Sequence, residues 1–427
     1  MPKIAFIEPP YNLFMESLDA PFSLMYLAAI AEKIGWEAQI VDMDSNDDPL
    51  PDADVYGVGS SSPQWPQTVK LSERLAEEFP DSLKIVGGNH ISAEPKSLDS
   101  TRFDCAVLGE GEIPLMGILS NYQNFKGVRY APSARLKRLD IIPFPARHLV
   151  DWTKYKRGIY WGCEELSPAV SIISSRGCPQ QCCFCGSHVV FGRQTRFRSV
   201  ENVVSEVKHV IETMGYHGFN FHDDTFSLNR KRVKKMCKQF RPLNIFWRCL
   251  CRADKIDPQL LQYMRKGGCK EIVLGLESGS QKILNNLQKG TTVESNLRGM
   301  KLIKESGIQL KAGIIVGSPG ETWETVEETK KMLRMYPPVF WAISVFTPFP
   351  GSEVWNNPEK FKIKILTREL DKYSMVGKEF RGSVVVETEE MNKEDIEQAR
   401  DELIDLLLDI SGPTYKLKPK MGTKDEN

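Results

Sequence analysis

Short apolar runs alternate with amphipathic stretches along most of the chain, and this alternation predicts parallel β-sheets covered by helices. In residues 1–125 the predicted strands are KIAFIEP, AQIVD, VYGVGSS, LKIVGG and CAVLGEG. Helical periodicity fills several of the intervals, most clearly in FSLMYLAAIAEKIGW and PQTVKLSERLAEEF. We therefore predict an α/β protein whose residues 1–125 form a doubly wound parallel sheet of the flavodoxin or Rossmann type.

The segment 126–168 breaks this rhythm and predicts a linker, because RYAPSARLKRLDIIPFPARHLVDW combines three prolines with mixed charge. The alternation resumes in residues 169–355 over six strand–helix units without a returning hairpin. This predicts a partial (β/α)6 barrel with its chemistry at the carboxyl ends of the strands. Residues 356–427 predict a short helical region, KEDIEQARDELIDLLLDI, followed by a disordered polar tail that begins at Gly412.

Composition narrows the class of protein. Of 427 residues, 41% are hydrophobic and 26% charged, and 56 basic side chains balance 56 acidic ones, so no global field attracts nucleic acid or an anionic membrane. The N-terminal apolar run is too short for a signal peptide, and no apolar stretch approaches the ~20 residues of a membrane span. We predict a cytoplasmic, enzyme-sized protein that binds neither nucleic acid nor membrane.

Four of the ten cysteines lie in RGCPQQCCFCG, residues 176–186, directly after the first predicted barrel strand. In a reducing cytosol such crowding favours a metal site or catalysis over disulfides. Cys178, Cys182 and Cys185 have the spacing C-x3-C-x2-C, and three thiolates with an open fourth position suit a [4Fe–4S] cluster whose last iron binds a substrate or cofactor. A Cys3His zinc site that includes His188 remains the alternative.

The other cysteines are interpreted as small buried side chains. Cys183 interrupts the spacing and is expected to face the core. Cys249 and Cys251 share one face of a predicted strand, and no second ligand pair follows them in sequence, so we expect packing rather than a second metal site. The same interpretation applies to Cys105, Cys163, Cys237 and Cys269.

The cysteine spacing, with Phe184 just before the last cysteine and five strand–helix units downstream, resembles the radical S-adenosylmethionine (SAM) superfamily. The resemblance implies that Cys178, Cys182 and Cys185 bind three irons of a [4Fe–4S] cluster, while SAM chelates the fourth. It also implies one-electron reduction by an external donor such as flavodoxin or ferredoxin. That reduction cleaves SAM to methionine and a 5′-deoxyadenosyl radical.

Three strand ends extend the resemblance: FHDD, LESGS and GIIVGSPGE. In the family these regions contact the methionine amino group, the ribose and the adenine. The SAM contacts expected here are Phe184, Asp223, Asp224, Arg252, Glu277, Ser278 and Gly317. Alternatively, Asp223 and Asp224 cap a turn and Arg252 is a surface arginine. The glutamate of the family's strand-five pattern comes one residue late in this chain, at Glu321. This departure weakens the role that the resemblance implies for Glu321. Alternatively, Glu321 begins the next helix, where its negative charge suits the helix dipole.

A doubly wound domain before such a barrel resembles the cobalamin-binding members of the superfamily, as do PFSLMYLAAIAEKIGWEAQIVD, GVGSSSPQW, GGNHISAEP and TPFPGSE in that order. The cobalamin contacts implied are Ser60, Ser61, Gly87, Gly88, Gly109 and Glu110. A D-x-H-x-x-G loop is absent from residues 1–130, where His90 is the only histidine, so the resemblance implies cobalamin without a histidine ligand. A nucleotide site is disfavoured because Ser62 replaces the third glycine of G-x-G-x-x-G. A degenerate domain that binds nothing remains an alternative.

These features predict a cobalamin-dependent radical SAM enzyme, expected to be a methyltransferase acting on an unactivated carbon or a phosphorus centre of a small molecule. Its substrate is expected between the facing edges of the two α/β blocks. The alternatives are a cyclase or rearrangement enzyme with the same cofactors, and a non-catalytic cobalamin or iron–sulfur binding protein. The sequence specifies neither the substrate nor the catalytic residues.

Overall fold

The computed structural model describes residues 1–11, 19–44, 49–131, 134–155, 157–162, 164–373 and 381–412. Cys163 and residues 413–427 of the predicted disordered tail lie outside this part of the chain. No helix within the described ranges is long and apolar enough to cross a membrane.

The N-terminal block is a five-stranded parallel sheet. Its strands are β1 (Lys3–Glu8), β2 (Glu37–Asp42), β3 (Val55–Gly59), β4 (Leu83–Gly87) and β5 (Cys105–Val107). Its helices are α1 (Phe22–Lys33), α2 (Trp65–Glu78), α3 (Asn89–Ala93) and α4 (Glu112–Ser120). The spatial order β2-β1-β3-β4-β5 is the flavodoxin-like order, which places a ligand crevice at the carboxyl ends of β1 and β3.

Both faces of this sheet are buried, which is why its strands appear in the sequence as continuous apolar runs. Ile4 and Phe6 face one apolar cluster together with Leu24 of α1. Ala5 and Ile7 face a second cluster on the opposite side, which contains Leu71 and Leu75 of α2.

The second block is a seven-stranded sheet in the order β14-β13-β12-β11-β10-β7-β6. Its strands are β6 (Gly158–Trp161), β7 (Glu164–Ile172), β10 (Gly218–Phe221), β11 (Phe246–Cys251), β12 (Cys269–Glu277), β13 (Gln309–Val316) and β14 (Phe340–Val345). The connecting helices are α6 (Val200–Met214), α7 (Arg230–Phe240), α8 (Pro258–Lys266), α9 (Gln281–Asn286), α10 (Val293–Ser306) and α11 (Trp323–Met335). The six strands from β7 to β14 are mutually parallel, which confirms the predicted half-barrel.

Smaller elements complete the fold. They are the pair β8 (Ser175–Arg176) and β9 (Arg196–Phe197), the pair β15 (Ile363–Ile365) and β16 (Val386–Thr388), and the helices α5 (His188–Phe191), α12 (Glu353–Asn356) and α13 (Lys393–Ser411). Short 3₁₀ helices lie at Pro95–Ser100, Tyr122–Asn124, Leu139–Ile141, Arg147–Leu149, Trp152–Lys154, Phe226–Leu228, Arg241–Leu243, Ala253–Lys255, Pro358–Phe361 and Leu370–Lys372.

The structure differs from the sequence prediction where the barrel begins. Strand β6 and the first half of β7 lie inside the segment predicted as a linker, and they form an antiparallel hairpin in which Ile159 is paired with Ser167. Two glutamates and Pro168 hide the apolar alternation of β7. By contrast, the start of α8 is as predicted: Asp257 caps the helix by accepting from the Leu260 amide, and Pro258 is its first residue.

Three buried arginines, which we call the arginine clamp, hold the carboxyl end of β7. Arg147 donates to the Ser171 carbonyl, Arg198 to the Ile173 carbonyl and Arg232 to the Ser174 carbonyl. The fully buried Glu206 of α6 pairs with Arg147 at 2.6 Å and with Arg198 at 2.5 Å. Burial alone would raise the pKa of Glu206, but these two guanidinium groups outweigh it and hold that pKa below its ordinary value.

Glu206→Gln is expected to lower the free energy of unfolding by about 3 kcal/mol, since it leaves buried guanidinium charge without its counter-ion. The matched control is Glu201→Gln on the same helix, whose pair with Lys235 is exposed and is expected to contribute nothing measurable. Urea denaturation followed by circular dichroism measures both variants. An equal midpoint for Glu206→Gln and the native chain would contradict the role of the clamp.

Candidate active site

The cysteine loop joins β8 to α5 at the carboxyl end of β7. Cys178, Cys182 and Cys185 are partly exposed free thiols, whereas Cys183 is fully buried in the barrel core, as predicted. The Cys183 amide donates to the Leu287 carbonyl at 3.1 Å, so the loop is fastened to the barrel at its middle. One cysteine therefore anchors the loop while the other three stay accessible.

Backbone geometry fixes where the loop starts. Gly177 has a φ of +88°, and a Cβ there would lie 2.6 Å from the Gln194 carbonyl oxygen. Only glycine allows the chain after α5 to fold back this closely onto the residue that precedes Cys178. The Thr195 hydroxyl then donates to the Gly177 carbonyl at 3.0 Å, which closes the contact.

Two predicted site carboxylates at the end of β10 hold the chain on both sides of the loop. Asp223 accepts from the amide and hydroxyl of Ser174 and from the hydroxyl of Ser175, each at 2.6 Å. Asp224 accepts from the Gly177 amide and the Ser187 hydroxyl, and burial, together with the charge of Asp223, raises its pKa. Both side chains thus hold the chain on either side of the loop, and their expected contacts with SAM stay predictions.

The donor set fits a [4Fe–4S] cluster. Three thiols of one short loop lie in a partly sheltered position, and each would ligate a different iron rather than one shared ion. Among the described residues there is no group of three or more His, Cys, Asp or Glu side chains arranged to hold a single metal ion.

A buried ion pair lies beside Cys182. Glu277 of β12 pairs with Lys289 at 2.5 Å, and the Lys289 ammonium also lies 5.9 Å from the centre of the Phe184 ring. Glu277 has a φ of +61° at a break in the β12–β13 register, an unusual conformation for a residue other than glycine. A Cβ on Gly275 would lie 2.5 Å from the Glu277 carboxylate, so glycine leaves room for the pair. Strained backbone and buried charge at a strand end are typical of a ligand site.

Arg252 and Ser278 are both engaged within the protein. Arg252 is buried, so the surface alternative is wrong, and its guanidinium pairs with Asp254 at 2.9 Å and donates to the carbonyls of Lys289 and Gly290. The Ser278 hydroxyl is fully buried against the Thr329 hydroxyl at 3.2 Å. Arg252 therefore orders the loop that carries Lys289, and Ser278 joins β12 to α11.

The turn after β13 shows the structural role of Glu321, the glutamate that comes one residue later than in the family's pattern. Gly317, a predicted SAM contact, has a φ of +81°, and its amide, like that of Ser318, donates to the carboxylate of Glu321. Burial raises the pKa of Glu321 to about 7. Glu321 lies just before Thr322, the cap of α11, so its carboxylate closes the turn instead of belonging to the helix.

At the carboxyl edge of the first sheet, four of the predicted cobalamin contacts come together. Gly88 has a φ of +109°, and a Cβ there would lie 2.5 Å from the Ser60 carbonyl oxygen. The Ser60 amide donates to the Gly87 carbonyl at 3.0 Å, and the Ser61 hydroxyl donates to Gln64 at 2.7 Å. Ser60 is buried, and Gly87 and Gly88 are half-buried. The edge above β3 and β4 thus carries no large side chain from these residues, and we call it the bare edge; glycines at such an edge let a ligand approach the backbone closely.

Glu110, by contrast, faces the barrel. Its carboxylate pairs with Arg196 at 2.5 Å and lies 3.5 Å from Arg176, while Glu112 pairs with Arg176 at 2.5 Å. The Gly109 amide donates to the Ser92 hydroxyl at 2.9 Å. We call the two glutamates and two arginines the domain bridge, because they join the first sheet to the residues on either side of the cysteine loop.

His90 is occupied inside the first domain. Its two ring nitrogens each lie 3.2 Å from a serine hydroxyl, of Ser62 and Ser97, and the centre of its ring lies 4.4 Å from that of Trp65, at a tilt of 38°. Burial lowers the pKa of His90 to about 4. His90 is thus held by contacts within the first domain.

Polar side chains follow one another across the open face of the half-barrel, and sequence reasoning missed them. The Arg248 guanidinium donates to the Asn220 amide oxygen at 2.9 Å, and the Asn220 amide nitrogen lies 2.6 Å from Nε2 of His222. Since an arginine only donates, the amide nitrogen of Asn220 must face His222, so Nε2 of His222 accepts and Nδ1 carries the proton. Barrel interiors are ordinarily filled by branched apolar residues, so a chain of polar side chains on this face is unusual.

The first domain reaches the mouth of the barrel. Asp19, just before α1, pairs with Arg157. Burial alone would raise the pKa of Asp19, but Arg157, with smaller contributions from His222 and Arg248, holds that pKa below its ordinary value. The Phe22 ring lies 6.5 Å from the His222 ring. The carboxyl edges of the two sheets therefore meet over the polar face of the barrel.

Two family models match this chain in the corresponding places. The model for the radical SAM superfamily matches residues 172–333, and the model for the B12 binding domain matches residues 19–119. The chain thus carries a domain that matches the radical SAM superfamily and a domain that matches the B12 binding domain. The first match contains the cysteine loop and the second contains the bare edge of β3 and β4.

Individual relatives extend the similarity over most of the chain. An uncharacterized methyltransferase of Pyrococcus horikoshii is 28% identical over 76% of this chain and 73% of its own length. An anaerobic magnesium-protoporphyrin IX monomethyl ester cyclase of Rubrivivax gelatinosus is 29% identical over 76% of this chain, which spans 61% of the cyclase. The radical SAM methyltransferase TsrM of Kitasatospora setae has a similar fold, with a TM-score of 0.66, 17% identity and coverage of 86% of this chain and 81% of TsrM.

These matches confirm the α/β fold class, the family expected from the cysteine spacing and, with it, a radical SAM enzyme. The cofactors expected from the sequence are those of the two matched families, namely a [4Fe–4S] cluster, SAM and cobalamin. The individual contacts remain predictions. Lys289 is the site residue with the weakest sequence signal, since it lies in a short loop between two helices rather than at a strand end.

Replacing Cys178, Cys182 or Cys185 singly by alanine is expected to abolish binding of the [4Fe–4S] cluster, because two thiolates hold too few of its irons. Cys183→Ala removes a neighbouring thiol that points into the core and is expected to retain the cluster. Iron and sulfide analysis of anaerobically reconstituted protein measures both. Loss of iron in Cys183→Ala alone would contradict the assignment.

The pKa of Glu321 predicts a pH dependence of stability. The folded chain holds this proton up to about pH 7, whereas the unfolded chain releases it near 4.5, so the stabilisation is complete below pH 4.5 and is lost as the pH rises through 7. The full effect is about 3 kcal/mol. Glu321→Gln keeps an acceptor for the two amides but does not titrate. Thermal midpoints of the two proteins should diverge with pH, and parallel curves would contradict the shift.

Proposed function

We propose that the protein is a cobalamin-dependent radical SAM methyltransferase that acts on an unactivated carbon or a phosphorus centre of a small molecule. One observation carries the proposal: the cysteine loop and the bare edge of the first sheet belong to carboxyl edges that meet over one polar surface. Ligands of α/β sheets bind at such edges.

Each cofactor has a set of residues that suits it. Cys178, Cys182 and Cys185 would hold the cluster. The Glu277–Lys289 pair beside Cys182 provides a carboxylate and an ammonium for the polar ends of SAM. Ser60, Gly87 and Gly88 place no large side chain between the first sheet and a corrinoid bound at its edge. When bound, these groups supply the radical that activates the substrate and the methyl group that is transferred.

The protein itself supplies position and shelter. The arginine clamp fixes the end of β7, and Asp224 fixes both ends of the cysteine loop, so the three thiols are set before any cluster is bound. The domain bridge fixes the distance between the two edges. Such preorganisation matters because a reactive intermediate must meet the substrate and nothing else.

The substrate is proposed to lie between the two edges, above Asn220 and His222. The Nδ1–H of His222 is a hydrogen-bond donor whose orientation Asn220 and Arg248 set, which suits a substrate with a carbonyl, carboxylate or phosphorus–oxygen acceptor. We place this chemistry in the cytoplasm, with electrons from an external one-electron donor such as flavodoxin or ferredoxin.

A second candidate is a cyclase or another rearrangement that uses the same cofactors without methyl transfer. The similarity to the protoporphyrin ester cyclase favours it, since that relative is as similar to this chain as the Pyrococcus methyltransferase. The two candidates share the cofactor sites and differ in what happens to the methyl group of SAM.

Protein made anaerobically with cobalamin should contain about four irons and about one cobalt per chain. With dithionite and SAM it should release 5′-deoxyadenosine, and SAM labelled in its methyl group should transfer label to the bound corrinoid. Cys178→Ala should form no 5′-deoxyadenosine, while Cys183→Ala should form it at the native rate.

The outcomes separate the candidates. Formation of 5′-deoxyadenosine without label in the corrinoid would favour the cyclase or rearrangement. Iron and cobalt without any 5′-deoxyadenosine would favour a non-catalytic binding protein. Iron without cobalt would overturn the cobalamin part of the proposal.

A further inference from the structure

Exposed basic side chains surround the outer rim of the cysteine loop. Arg193 is exposed, and its guanidinium donates at 2.5 Å to the carbonyl of Gln180, between Cys178 and Cys182 in the loop. The segment that contains Arg193 packs against Gly177 through the carbonyl of Gln194. Arg193 therefore lies against the exposed side of the cysteine loop, between the first two predicted cluster ligands.

Further basic residues come from the segment that joins the two sheets. The Arg135 guanidinium lies 2.7 Å from the position that a Cβ on Gly192 would take, so Arg135 lies beside Arg193. Leu136 fastens the segment, since its amide donates to Glu110 and its carbonyl accepts from Arg196. Lys137 and Arg138 follow and are exposed. We call Arg135, Lys137, Arg138 and Arg193 the basic rim.

The basic rim carries uncompensated charge. None of its four members forms an ion pair with a residue in the described part of the chain. The basic helix α7 differs, because its Arg230 pairs with Asp257 and its Lys235 pairs with Glu201. In a chain with no formal net charge, four unpaired cations at one rim make a local positive field.

We propose that the basic rim docks an acidic protein that delivers single electrons to the cysteine loop. The inference rests on the proposed function, which requires an outside electron for each cleavage of SAM. In the transfer, the donor loses one electron and the cluster gains one, with no bond or proton moved. A negatively charged carrier is steered by the rim to the point where the loop is most exposed, at Pro179 and Gln181.

The test compares two charge reversals of equal size in the holoenzyme. Arg135→Glu/Lys137→Glu/Arg138→Glu changes the rim without touching the loop. The control, Lys231→Glu/Lys235→Glu/Lys238→Glu, changes three exposed lysines of α7. The probe is an acidic flavodoxin: binding of its oxidised form gives a Kd, and its hydroquinone gives the rate of cluster reduction by stopped-flow absorbance. Dithionite, a small reductant, is measured in parallel.

The rim variant should bind flavodoxin at least about tenfold more weakly and be reduced by it at least about tenfold more slowly, and raising the salt concentration should reduce this difference. Because dithionite is itself a small anion, its reduction of the rim variant is compared at high salt, where it should match that of the native protein, as should the melting temperature. The α7 variant should match the native protein in every measurement. Equal flavodoxin binding by the native and rim proteins, or a larger loss in the α7 variant, would overturn the proposal.

The failure of this inference is distinguishable from failure of the proposed function. If the native protein forms no 5′-deoxyadenosine with dithionite, the proposed function fails, whatever flavodoxin does. If dithionite supports that reaction in all three proteins and flavodoxin reduces all three equally, only the docking surface is wrong.

Discussion

The site depends on buried charge that holds backbone carbonyls at the end of one strand. Arginine side chains from the inter-sheet segment, from the start of α6 and from α7 converge on residues 171–174, and Glu206 and Asp223 balance part of their charge. Hydrogen bonds from guanidinium groups are stronger than those between neutral groups, and burial keeps water from competing for them. The strand end cannot shift without breaking several of these bonds together. The cysteine loop, in which Cys183 alone is fully buried, thereby acquires a fixed starting point.

The two faces of the half-barrel sheet differ in the side chains that they carry. The faces turned toward the helices carry Phe219, Phe221 and Trp247 in one apolar cluster, which supplies the hydrophobic stabilisation. The open face carries Asn220, Arg248 and Glu271, whose burial costs free energy unless each finds a partner. The sheet therefore stabilises the fold through one face and presents polar side chains on the other. The alternation of side chains along each strand makes this possible within the same residues.

Much of the architecture was predictable because it follows from local patterns. Continuous apolar strands between amphipathic helices indicated both parallel sheets, and the cysteine spacing indicated the site. The hairpin of β6 and β7 was missed, since a strand with Glu164, Glu165 and Pro168 has no apolar alternation. Lys289, His222 and the partners of Glu110 were missed for another reason. Their roles arise from contacts between residues far apart in sequence, for which a single chain gives no local signal. For Glu110 the sequence alone does not separate two roles, because a glutamate at the end of a strand can contact a ligand or can join two domains.

The domain bridge also bears on how such proteins can be recombined. Arg176 and Arg196 flank the cysteine loop, and both are neutralised by glutamates that belong to the other sheet. A barrel expressed without residues 1–125 would keep the guanidinium groups of Arg176 and Arg196 beside the cysteine loop. It would lack the glutamates that neutralise them when they are buried. A chimera with a foreign N-terminal sheet would inherit the same problem unless that sheet presented two acids at the same places. The two domains thus have separate folds but complementary charges where they meet. Exchange of either domain during evolution would be constrained by the four charged residues of the domain bridge.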